Sequence, residues 1–242
     1  MSWHTLRQGF AEVCETFLHL LAPRCCCICG QGLEETVGLH RFVCRPCWDN
    51  LPLAPPPEKL YNELIDQFPG DELALSGAAA LFGLREGTPP MRLIYALKYR
   101  RCWELGSELG RVLGTVLPKL LPYQLDVLIP VPIHPARRRE RGYNQAEVIA
   151  AGISDTTGIP LYRNALRRRI ATASQTQLTA EQRRLNVAGA FAGSAQAAAM
   201  RSANLLLVDD VITTGSTLNS CAEALLSLGA QRVFAVAIAR AL

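Results

Sequence analysis

Leu205 to Val208 is an unbroken apolar run, the pattern of a strand buried on both faces rather than the alternation of a half-exposed one. The spacing predicts a strand over 203–208, and similar short runs predict strands over 78–84, 127–131 and 232–238. Between and around them apolar residues recur every three to four positions. This predicts helices over 89–99, 103–117, 144–153 and 216–228, the last stopped by Gly229. Buried strands alternating with helices imply an α/β domain with a parallel sheet flanked by helices. In such sheets ligands bind off the carboxyl ends of the strands.

The first 22 residues carry Trp3, Leu6, Phe10, Val13, Phe17, Leu20 and Leu21 at helical spacing, interrupted by Arg7, Glu12, Glu15 and His19. Those charges exclude a secretory leader or a membrane span, so an amphipathic helix over 1–22 is expected. Docking on the protein's own core is the first expectation, and lying on a membrane surface the second. Pro52-Leu53-Ala54-Pro55-Pro56-Pro57 is too stiff and donor-poor for a helix or central strand. It divides a cysteine-rich module with its proline linker, 23–57, from a larger domain, 58–242.

Composition changes this picture at two points. Six of the nine cysteines (Cys25, Cys26, Cys27, Cys29, Cys44 and Cys47) crowd into 23 residues, while Cys14, Cys102 and Cys221 stand alone in apolar helical stretches. Such clustering without a secretory leader favours metal binding in a reducing compartment, so a cytoplasmic address is expected, its inner membrane face included. Cys26-x-x-Cys29 and Cys44-x-x-Cys47 are two knuckles 14 residues apart, the spacing of a small tetrahedral zinc-ribbon module. A segment this short has no core of its own, and structural Zn2+ would contribute on the order of 10 kcal/mol to its folding. Cys25 and Cys27 leave the ligand register open.

The second point is charge. The net charge of +4 is modest, but arginines cluster at 137–139 and 141, at 167–169, and at 183–184. The guanidinium fork suits diphosphates, nucleotides or nucleic acid, and the alternative for each cluster is a solvated basic surface.

Immediately after the 203–208 run come Asp209 and Asp210, then Thr213-Thr214-Gly215-Ser216-Thr217 at the start of a helix. Small hydroxyl residues and a glycine at a helix N-terminus offer backbone N–H and O–H donors to one phosphate. Two adjacent carboxylates accept hydrogen bonds without donating, matching the vicinal hydroxyls of a ribose. Phosphate and diol together point to a ribose 5-phosphate. The alternative is a strand–turn–helix junction whose hydroxyls merely cap the helix.

The run 208–217 resembles the phosphoribosyl-diphosphate motif of type I phosphoribosyltransferases. The order of cysteine pairs, Val131-Pro132, Arg141-Gly142-Tyr143-Asn144-Gln145 and this motif resembles the ComF family of competence-linked proteins, ComFC- and GntX-like members included. The resemblance implies a type I phosphoribosyltransferase-like sheet and a phosphoribosyl diphosphate ligand with Mg2+. It implies that Asp209 and Asp210 hold the diol, 213–217 the 5-phosphate, and Val131 and Pro132 the diphosphate beside the arginines of 137–141. Arg141 and Asn144 are candidates for a substrate edge, although Asn144 could cap the helix and Tyr143 pack inward. His134 is a weak catalytic candidate that could equally form a turn.

The polar stretch 172–179 reads as a flap closing over the diphosphate, with Gln175, Arg183 and Asn186 at family-like positions, or as a plain surface loop. Lys98 is a candidate phosphate contact from the first helix of the domain. No general base is identifiable, and no acceptor is named by the residues. Two functions follow: transfer of a phosphoribosyl group, or non-catalytic binding of a nucleotide or single-stranded DNA by an adaptor among DNA-uptake proteins.

Overall fold

The computed structural model describes residues 24–68, 73–99, 102–168, 190–194 and 200–242. The expected 1–22 helix and the flap residues Gln175, Arg183 and Asn186 lie outside them. The chain divides into two units, one ending at Asn50 and the other running from Leu51 to Leu242.

In the first unit Cys25 pairs with Gly32 across a tight turn in which Cys26 N–H donates to Gln31 O at 2.8 Å and Gly30 N–H to Cys26 O at 2.9 Å. A 3-10 turn, Leu39–Arg41, leads to a short helix α1, Arg45–Asp49. Cys27 N–H donates to Phe42 O at 2.8 Å, tying the first turn to the second. Among the described residues of this unit few side chains are buried: Cys26, Ile28, Leu39 and Val43.

The second unit opens with α2, Pro57–Ile65, followed by β1, Gly77–Leu84, α3, Pro89–Tyr99, and α4, Trp103–Leu120. Then come β2, Val127–Pro130, α5, Pro135–Arg141, and α6, Gln145–Thr157. The short strands β3, Leu166–Arg168, and β4, Phe191–Gly193, form an antiparallel pair. Strand β5, Asn204–Ile212, helix α7, Ser216–Leu226, and β6, Arg232–Ala241, complete the unit. The main sheet is wholly parallel, in the order β1-β6-β5-β2.

Leu205 to Val208 are all buried because both faces of β5 are covered. Leu205 and Leu207 share a core with Leu60 and Leu64 of α2 and Leu218 and Cys221 of α7. Successive side chains alternate across a strand, so Leu206 and Val208 face the other way, the side on which α6 packs. Both sheet edges are occupied: Leu53 pairs with Phe82 of β1, and Leu161 with Leu128 of β2. The proline run read as a linker is thus partly laid along β1, with Ala54 N–H donating to Leu81 O at 3.0 Å.

Helices α4 and α6 pack unusually closely. Gly106, Gly110 and Gly114 recur every four residues on α4, and a Cβ on Gly110 would lie 2.1 Å from the Ile149 carbonyl oxygen. A Cβ on Gly152 would lie 2.1 Å from the Ser107 carbonyl oxygen, so each backbone fills the space the other's side chain would take.

Three local expectations change. β5 does not end at Val208 but continues through both acids, because Asp209 and Val211 stay in register with Ala237 and Ala239 of β6. The arginine-rich stretch after Val131, over which no element was predicted, is α5, which Pro135 starts at a fixed φ and Gly142, at φ +84°, ends. The last helix stops at Leu226 rather than 228.

Candidate functional site

A cleft of about 510 Å3 lies at the carboxyl ends of β2 and β5. The sheet delivers Val131 and Pro132 from β2, and Asp209 and Asp210 from β5. Thr213, Gly215 and Thr217 line it from the turn into α7. Gly215 holds φ +79° as the N-cap of α7, a left-handed backbone that side chains rarely adopt, and a Cβ there would meet Leu64 Cδ2 at 2.9 Å. Thr214 and Ser216 are not among the lining residues; their hydroxyls lie 2.8 Å apart, and Ser216 N–H donates to Thr214 Oγ1 at 3.4 Å. The hydroxyl pair shapes the turn from within.

The two acids have different surroundings. Asp210 is buried and its carboxylate lies 3.1 Å from the Lys98 ammonium of α3. Burial, then repulsion by Asp210, pushes the Asp209 carboxyl from the ordinary range up to about 7, against the Asp210 backbone N–H and Lys98, which favour its charge. That N–H donates to Asp209 Oδ1 at 2.8 Å. Asp210 is thus engaged in an ion pair, while the Asp209 carboxyl beside it is raised toward neutrality, leaving Asp209 able to accept or release a proton as a ligand arrives.

Asn144 takes the capping role while standing at the cleft. It caps α6, Oδ1 accepting from Ala146 N–H at 3.1 Å, and its Nδ2 donates to Val131 O at 3.0 Å, fixing the β2 loop beside the cleft it also lines. Arg141 lines the cleft, donates to Gln145 Oε1 at 2.9 Å and stacks over the Tyr99 ring at 5.5 Å. Tyr143 packs inward, its hydroxyl donating to Leu97 O, and burial pushes its pKa up to about 12. His134 forms a turn: its Nδ1 accepts from Ala136 N–H at 3.2 Å and caps α5.

Of the arginine clusters read from the sequence, Arg137 and Arg168 reach the cleft from α5 and β3. Two lining residues were not singled out by the sequence: Tyr95 and Tyr99 of α3 are exposed at the cleft with rings 4.8 Å apart. The i,i+4 spacing of the two tyrosines was the available hint.

In the cysteine unit the Sγ atoms of Cys26, Cys29, Cys44 and Cys47 all lie within 4.8 Å of one another, Cys29 and Cys44 at 3.7 Å. Four thiolates at about 2.3 Å from one tetrahedral ion would stand about 3.8 Å apart, so the set fits a metal such as zinc. Burial pushes the Cys26 thiol up, but backbone N–H groups of Cys29, Cys44 and Ile28 outweigh it and bring the thiol down to about 6. The Cys44 N–H is 3.4 Å from that sulfur, so the fold favours thiolate there. Cys25 and Cys27 stand outside this quartet, so the sulfurs that the fold brings together are those of Cys26, Cys29, Cys44 and Cys47.

No family model matches the chain. It is similar to competence protein F of Haemophilus influenzae, 38% identical over 116 residues covering 48% of this chain, and spans about half, 51%, of that protein's length. It is similar to the DNA utilization protein YhgH of Salmonella typhimurium at 28% identity over 230 residues, 93% of this chain and 94% of the relative. Competence protein ComFC of Bacillus subtilis is 32% identical over 103 residues, 43% of this chain and 39% of that protein. Among solved structures, glutamine phosphoribosylpyrophosphate amidotransferase from B. subtilis aligns at 19% identity and TM-score 0.40, over 59% of this chain and 30% of that one.

Proposed function

The chain belongs to the ComF family, and on that premise we propose that its cleft binds phosphoribosyl diphosphate in the service of DNA uptake. The observation that carries the reading is the meeting, in one cleft at the sheet's carboxyl edge, of Asp209-Asp210 with Thr213, Gly215 and Thr217 at the N-terminus of α7. The acids accept from the ribose hydroxyls, and the turn donates to the 5-phosphate. Val131, Pro132 and the Arg137 and Arg141 side chains face the diphosphate.

If transfer occurs, departure of diphosphate is the step these arginines favour, by neutralising the charge that develops on it. Mg2+ would ride on the diphosphate oxygens, since Asp210 is already paired with Lys98 and no cage of three or more metal-ligating side chains stands here among the described residues. In the cysteine unit Zn2+ would be held by Cys26, Cys29, Cys44 and Cys47, with a structural role. Relatives named for competence and DNA utilization support a setting in DNA uptake, and the address we propose for it is the cytoplasm, at the inner face of the membrane. No helix among the described residues is long and apolar enough to cross a membrane.

A second reading has its own observation. Tyr95 and Tyr99 line the cleft and are exposed, and Arg141 stacks on Tyr99. Bases stack on aromatic rings while arginines follow the backbone, so a non-catalytic adaptor for single-stranded DNA fits this rim. The two are separated by incubating the protein with phosphoribosyl diphosphate, Mg2+ and cell extract. Diphosphate release that Asp210→Ala abolishes supports transfer. Saturable binding of the sugar diphosphate without release refutes transfer and leaves the cradle. Binding of single-stranded DNA that falls steeply with salt, with no competition by the sugar diphosphate, supports the adaptor instead.

A further inference from the structure

Arg240 stands near the end of β6, in register with Ile212 of β5, and is only 7% exposed. A buried arginine is costly unless its charge and donors are used. Here the guanidinium makes two contacts. Nη1 donates to the Thr213 carbonyl oxygen, and Nη2 lies 3.6 Å from the Glu63 carboxylate of α2, while Nε is buried without a hydrogen-bond acceptor. Glu63 is itself about one-third exposed, so it compensates the charge only in part. Arg240 is not among the residues lining the cleft, whereas Thr213, whose carbonyl it holds, is.

We propose that Arg240 is a positioning residue for the anion cradle: by gripping the Thr213 carbonyl it turns the loop's amide donors toward the ligand. In a trans peptide the C=O and the following N–H point in opposite directions. Holding the Thr213 carbonyl on the Arg240 side therefore directs the Thr214 N–H away from it. The grip also keeps a lone-pair-bearing oxygen from facing an incoming phosphate. The guanidinium adds a fixed, partly compensated positive charge one peptide behind the loop, in a setting screened little by water. Leu64, one residue after Glu63, packs where a Gly215 Cβ would stand, so α2 braces the same turn by packing and by charge. This inference rests on the reading of 213–217 as a phosphate-binding turn.

The test is calorimetric titration of the full-length protein with ribose 5-phosphate, and separately with inorganic phosphate. Arg240→Met keeps the apolar stem and removes the grip; it is expected to weaken ribose 5-phosphate at least tenfold. Arg240→Lys retains a donor and a charge and is expected to recover much of that loss. Glu63→Gln leaves the Arg240 charge uncompensated and is expected to tighten binding. A purely structural role would instead weaken binding in all three, in proportion to lost thermal stability, so the melting temperature of each is measured alongside. Equal affinity of wild type and Arg240→Met overturns the inference and leaves the cradle intact. So does weakening by Glu63→Gln as large as that by Arg240→Met. Failure of the wild type to bind either phosphate overturns the cradle and this inference with it.

Discussion

Alanine in place of glycine inside a helix ordinarily stabilises a protein, by about 1 kcal/mol, because glycine costs more backbone entropy to order. At Gly110 the opposite is expected. The added Cβ would stand 2.1 Å from the Ile149 carbonyl oxygen, 2.9 Å from its carbon and 3.0 Å from the Gly152 Cα. All three are backbone atoms, so no side-chain rotation relieves them, and α4 and α6 must part by about 1 Å to reach ordinary contact distances. That movement loosens Leu105, Leu109, Leu113 and Leu117, all buried along α4. Overpacking that forces backbone shifts typically costs about 1–3 kcal/mol, and contacts this short with backbone on every side belong at the upper end of that range. After the propensity gain of about 1 kcal/mol, Gly110→Ala is expected to lose about 2 kcal/mol.

Gly152→Ala meets the Ser107 carbonyl oxygen in the same way and is expected to cost a similar amount. The double variant should cost less than the sum, because helices already parted by one methyl accommodate the second. The assay is urea unfolding followed by far-ultraviolet circular dichroism with zinc present, reading the midpoint at constant slope. A Gly110→Ala protein as stable as wild type, or more so, refutes the close approach of the two backbones.

Other outcomes follow from the site. Because burial and Asp210 raise the Asp209 carboxyl to about 7, the native state binds that proton more tightly than the unfolded chain does, and stability should fall as pH rises from the ordinary carboxylate range through 7. Asp209→Asn should therefore match wild type near pH 4 and exceed it at pH 8, by on the order of 3–4 kcal/mol, in denaturation at the two pH values. Gly215→Val should abolish ribose 5-phosphate binding in calorimetry, since the φ of +79° and Leu64 both reject the side chain. Cys44→Ser should lower zinc, measured by atomic absorption, from one ion per chain and expose the first unit to proteolysis, whereas Cys25→Ser should leave the zinc content unchanged. Lys98→Met leaves Asp210 buried without its partner, and should cost about 1–3 kcal/mol in urea unfolding at neutral pH.

The sequence by itself determined the alternation of elements, the parallel sheet, the paired cysteines and the turn 209–217, because each rests on local pattern: periodicity, knuckle spacing, a run of hydroxyls beside a glycine. It identified Cys26, Cys29, Cys44 and Cys47 but could not choose among their neighbours, since register depends on where sulfurs meet in space. Only the tertiary structure decided that β5 continues through Asp209 and Asp210, because the partner strand β6 supplies the hydrogen bonds that keep them extended. Lys98 reaches Asp210 across 112 residues of sequence, and Arg240 reaches back to Thr213 and Glu63. Contacts of that kind leave no periodic trace. Charge partners are chosen by the packing of α2, α3 and β6 around the cleft, and the glycines of α4 and α6 declare their purpose only when two helix backbones are seen to touch.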